Sequence, residues 1–96
     1  MLRPLVEFIG TFLFFSVILQ QGQAIPIAIA LAAAIYFGGA ISGGHFNPGV
    51  SFMMFMNGKL QSAEFIQYVI VQLMAAMAAL YFYRLITVPA APATGI

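Results

Sequence analysis

At 96 residues, 64% of them hydrophobic and 5% charged, this chain lacks the roughly one-quarter charged residues with which a soluble domain wets its surface. Its net charge of +1 comes from three scattered basic residues (Arg3, Lys59, Arg84) against two acidic ones (Glu7, Glu64), so no patch exists to steer a nucleic acid or another polyanion. With no cysteine and one histidine, the chain offers no disulfide framework, metal-ligand cluster or nucleophile–base pair; neither an enzyme nor a cofactor is expected.

The first element, about residues 5–20, is nearly continuous apolar sequence closed by Gln20-Gln21-Gly22-Gln23. Arg3 ahead of such a run also fits a secretory leader, but Glu7 inside it and two later apolar segments argue for a membrane span. The second, 24–41, is uncharged and holds Pro26 near its start, where a missing N–H costs a helix least. The last, 65–86, ends in Tyr81, Tyr83 and Arg84, which suit a membrane interface. Val88-Pro89-Ala90-Ala91-Pro92 beyond it predicts a short extended tail.

Between the second and third spans runs Ser42-Gly43-Gly44-His45-Phe46-Asn47-Pro48-Gly49, then an apolar stretch to Met56 and Asn57-Gly58-Lys59. Asn47 followed by Pro48 is a helix start, because Asn caps orphan N–H groups and Pro tolerates the first helical position. Asn57-Gly58 is the matching stop. A helix over residues 48–56 is about 13 Å long, less than half of the ~30 Å hydrocarbon core. Its one polar residue before Asn57 is Ser51, too little for a helix lying on the membrane surface. The pattern predicts a re-entrant half-helix that dips in and returns to the side it came from. The expected fold is therefore an all-α membrane protein of three spans and one half-helix, in a single repeat covering residues 1–96.

The run Ser42 to Ser51 resembles the first Asn-Pro-Ala signature of the aquaporin and glycerol-facilitator family, with Gly49 in place of the motif's Ala. The likeness extends to Glu7-Phe8-Ile9-Gly10-Thr11 and to Tyr68 with Gln72. It implies a passive channel for water or small neutral solutes such as glycerol, and it covers one of the family's two inverted repeats. Three spans and a half-helix cannot enclose a pore, so a second copy in inverted orientation is expected to complete it, within a tetramer of such pores. The Lys/Arg bias is only two against one, which permits both orientations. A non-conducting subunit that pairs with another channel protein is the alternative.

Under the resemblance, Asn47, Gly43, Gly44, His45, Pro48 and Gly49 line the pore, with His45 also stabilising the loop. Glu7 supports the re-entrant loop by accepting its backbone N–H groups, and Gln72 braces the same region. The narrow filter carries over to Ile27 from one repeat and to Ile35, Gly44 and Val50 from the other. That lining is apolar and lacks the Arg of many aquaporins, so exclusion of cations rests mainly on the positive ends of the half-helices, the barrier for which aquaporin-type pores are the standard case.

Overall fold

The computed structural model describes residues 2–87, in which four helices follow one another: α1 (Leu2–Gln21), α2 (Ala24–Ser42), α3 (Pro48–Met56) and α4 (Ser62–Ile86). The extended tail expected from Val88 onward lies outside the described residues. Three helices, α1, α2 and α4, are long and apolar enough to cross a membrane. At 1.5 Å per residue, the 19 residues of α2 reach about 29 Å, the thickness of a hydrocarbon core.

Two helix starts lie upstream of the apolar runs that announce them. α1 begins at Leu2 and takes Pro4 into its first turn, where no intrahelical donor is needed. α4 begins at Ser62 because Gln61 and Glu64 form a capping box: the Gln61 side chain accepts from the backbone of Glu64, and the Gln61 N–H donates to Glu64 Oε1 at 3.3 Å. The box satisfies two orphan donors and moves the start back by about a turn.

α1 is the central helix, packed against α2 on one side and α4 on the other, and α3 lies against α4. α2 meets α1 through Ala30, Ala34 and Gly38, spaced four apart and all buried. Without a hydrophobic force between helices in lipid, such small residues give cohesion by letting backbones approach and gain dispersion contacts. Exposure is consistent with that setting: Tyr36 is 81% and Phe37 78% accessible, surfaces that an aqueous protein would bury.

The core is held at one point by a residue of the α2–α3 loop. Phe46 is completely buried, and its ring occupies the notch left by two glycines. A Cβ on Gly10 would lie 2.6 Å from Phe46 Cδ1 and closer still to Cε1, and one on Gly38 would lie 2.7 Å from Val6 Cγ1 and 3.3 Å from Phe46 Cζ. Gly39, one residue on, faces only Ile35 Cγ2 at an ordinary 3.5 Å.

This contrast makes a prediction. Gly10→Ala overpacks the notch and is expected to lower stability by about 1–3 kcal/mol. Gly39→Ala, favoured by helix propensity, should lower it not at all. Unfolding midpoints in detergent, followed by circular dichroism, compare the two.

Candidate functional site

The α2–α3 loop packs against α1 at Glu7 and Gly10 and against α4 at Tyr68, and its course departs from ordinary backbone. Gly43 and Gly44 have φ of 94° and 68° and Phe46 has φ of 55°. The first two conformations come without steric cost only to glycine. The third, at a bulky residue, persists only where its surroundings over-determine it.

Those surroundings converge on Glu7, which is completely buried five residues into α1. Its Oε1 accepts the Phe46 N–H at 2.8 Å and Gln72 Nε2 at 2.9 Å, and its Oε2 accepts Ser42 Oγ at 2.7 Å and the His45 N–H at 3.1 Å. Four donors fill the roughly four acceptor sites of a carboxylate.

The remaining polar groups extend that shell. Ser42 Oγ, having donated to Glu7, accepts the Gly44 N–H at 3.2 Å. Tyr68 Oη donates to the Ser42 carbonyl at 2.5 Å, tying the end of α2 to α4. Gln72 Nε2 also donates to Ser51 Oγ at 2.9 Å, while Gln72 Oε1 finds no partner among the described residues. Ser51 Oγ lies 2.9 Å from His45 Nδ1. His45 is thereby locked against α3 and meets the Tyr68 ring edge-on at 5.1 Å between centroids. At the outer end, Arg3 pairs with Glu64 and lies 5.7 Å from the centre of the Tyr68 ring, fastening the first turns of α1 and α4 together.

Loop orientation follows from peptide geometry. No described peptide bond is cis, and in a trans peptide the C=O points opposite to the N–H. The N–H groups of His45 and Phe46 point at Glu7, so the carbonyls of Gly44 and His45 point away from it. Neither carbonyl accepts a hydrogen bond from another described residue. The loop thus has a back, bonded to Glu7, and a front that presents free acceptors.

Asn47 stands on the exposed side at the head of α3, in extended conformation (φ −165°). Its Oδ1 accepts the Gly49 N–H at 2.6 Å, and its carbonyl accepts the Ser51 N–H at 3.1 Å. The amide NH2 makes no hydrogen bond with another described residue and remains available as a donor. Pro48 occupies the first helical position. Gly49 is exposed beside the cap, where a methyl would come within 3.0 Å of Asn47 Oδ1.

Ile35 and Gly44 are brought together, since a Cβ on Gly44 would lie 3.6 Å from Ile35 Cγ1. Val50 is half-buried in the first turn of α3. Ile27, also half-buried, is two turns up α2, about 12 Å along the axis from Ile35, outside this cluster. Ser42, Ser51 and Phe46 were not singled out by the sequence reading. For Ser51 a signal existed: a lone hydroxyl in an apolar half-helix needs a partner on a neighbouring helix. For Phe46 there was none.

Comparison with known proteins follows the same lines. A family model described as major intrinsic protein matches residues 3–95. The chain is 38% identical over 88 aligned positions to glycerol uptake facilitator protein-like 6 of Lactiplantibacillus plantarum, covering 82% of this chain and 41% of that protein. It is 32% identical over 111 aligned positions to a probable TIP-type aquaporin of Medicago truncatula, covering 96% and 44%. With aquaporin Z of Brucella melitensis the identity is 38% over 58 positions, covering 60% and 25%. The chain spans less than half the length of each of these relatives. No solved structure matches it significantly.

The donor shell predicts an asymmetry between two conservative replacements. Glu7→Gln turns an NH2 toward groups that are themselves donors, leaving about two buried donors unpaired at ~1–3 kcal/mol each. Tyr68→Phe removes one hydrogen bond, worth about 0.5–1.5 kcal/mol. Unfolding in detergent should rank Glu7→Gln as much the more damaging, despite its near-identical shape.

Proposed function

The chain belongs to the major intrinsic protein family, and from that premise we propose that it forms half of a passive pore for water and small neutral solutes such as glycerol, completed by a second copy in inverted orientation. It is an integral, multi-pass membrane protein. The observation that carries the proposal is the head of α3, where Asn47, its side-chain oxygen engaged as the cap, holds an NH2 donor on the exposed face beside the free carbonyls of Gly44 and His45. A water or an alcohol needs both a donor and an acceptor to leave bulk solvent without large loss. Asn47 supplies the first and the loop carbonyls supply the second.

A single repeat leaves this face uncovered, and in lipid each free carbonyl costs several kcal/mol. A second repeat related by a twofold axis in the membrane plane covers it and brings the two α3 heads together. The basic residues favour no orientation strongly: Arg3 and Lys59 fall on one side and Arg84 on the other. Since Lys/Arg asymmetry orients membrane proteins, so slight a bias supports insertion both ways. The pore then has two apolar filters, each with Ile27 of one copy and Ile35, Gly44 and Val50 of the other. Further association of such pores into a tetramer is the family's arrangement and part of the proposal.

Two experiments test this. In proteoliposomes under an osmotic step, the protein should accelerate shrinkage several-fold, with re-swelling by glycerol; Asn47→Asp keeps the cap acceptor but loses the NH2, and should reduce water flux while leaving stability within about 1 kcal/mol. Unaccelerated shrinkage would reduce the chain to a non-conducting subunit. For the orientation, two variants are driven opposite ways by basic residues added either at Gln21 and Gln23 or beside Lys59. Each alone should be inactive and the two co-expressed should recover flux; full activity of either one alone would overturn the antiparallel pair.

A further inference from the structure

Three residues of the α2–α3 loop have positive φ, and two of them, Gly43 and Gly44, are of the kind that adopts it without steric cost. The third is Phe46, at φ 55°. Glycine would hold that conformation unstrained, so what Phe46 brings in exchange for the strain is its ring. Backbone strain is kept where it serves a site, and the residue that follows is Asn47. We propose that Phe46, which itself meets no solute, is a positioning residue for permeation: its ring, seated in the Gly10–Gly38 notch, sets where Asn47 and the loop carbonyls stand. The inference rests on the pore proposed above and names the part that gives that pore its spacing.

Phe46 is attached to the helices at two points. Its N–H donates to Glu7 Oε1 at 2.8 Å, and its completely buried ring lies where a Cβ on Gly10 would come within 2.6 Å of Cδ1 and one on Gly38 within 3.3 Å of Cζ. One hydrogen bond fixes a point and leaves the peptide free to turn about it; the ring removes that freedom. Across a trans peptide the Asn47 Cα stands about 3.8 Å from that of Phe46, so a turn of about 15° carries it about 1 Å. A hydrogen bond of ordinary length is weakened by such a shift. Asn47 has no hydrogen bond of its own to α1, α2 or α4 among the described residues: its Oδ1 accepts from Gly49 and its carbonyl from Ser51, both in α3. On the other side of Phe46 stand the carbonyls of Gly44 and His45. The ring is thus the joint between the acceptors and the donor of the open face.

Water flux in proteoliposomes, measured at several temperatures and corrected for protein-free vesicles, provides the test. A fold merely weakened lowers the number of working channels and hence the rate, but not the temperature dependence of the flux that remains. A misplaced donor raises the barrier in every channel. Phe46→Leu, and Gly10→Ala, which drives the ring out of its notch, should each steepen that dependence and lower flux per inserted protein roughly two- to tenfold, the factor that one ordinary hydrogen bond represents. Leucine lacks Cε1 and Cζ, two of the ring atoms that a methyl on Gly10 would strike, so Gly10→Ala combined with Phe46→Leu should return the dependence toward that of the wild type. Phe46→Leu, the milder change, carries the test alone where Gly10→Ala does not fold. A wild-type temperature dependence in Phe46→Leu, whatever its rate, would overturn the inference, as would a double variant no nearer the wild type than Gly10→Ala; in both cases the pore stands. Absence of water flux in the wild-type protein would overturn the pore itself and this inference with it.

Discussion

A loop without regular hydrogen bonding cannot sit at membrane depth unless something other than water accepts and donates to its backbone. In this chain the acceptor is one carboxylate. Glu7 takes the N–H groups of two consecutive loop residues together with a hydroxyl at the end of α2 and an amide from α4. Removing it would leave the buried N–H groups of His45 and Phe46 without a partner. The course of the loop between α2 and α3 is tied to α1 through these two N–H bonds to Glu7.

The same anchor dictates the handedness of the loop surface. Two peptide N–H groups directed at Glu7 oblige the corresponding carbonyls to face the other way, so one side is sealed and the other chemically open. Packing reinforces this division. The Phe46 ring, fully buried against Gly10 and Gly38, fixes a positive-φ residue that would otherwise relax, and Asn47, the next residue, is thereby delivered to the exposed side. A bulky aromatic in a strained conformation is the means by which a short polar residue reaches the exposed side of the loop.

Electrostatically the arrangement differs from the simple picture of a half-helix pointing its positive end into a pore. The end of α2 lies at the same loop and the carboxylate lies behind both, so the dipole of α3 does not act alone.

What the sequence determined by itself was whatever depends on neighbours along the chain: three apolar helices of membrane length, a half-helix bounded by Asn47-Pro48 and Asn57-Gly58, and an ionisable residue in a span that demanded partners. These follow from hydropathy, capping and the cost of a buried charge, all of them local. Tertiary structure alone decided which groups those partners are. The pairing of Arg3 with Glu64 joins residues 61 apart, and Gln72 reaches Glu7 across 65; neither separation leaves a trace in a periodic pattern. The notch at Gly10 and Gly38 has meaning only once Phe46 is seen to fill it, because close packing is a property of surfaces brought together and not of the residues that contribute them.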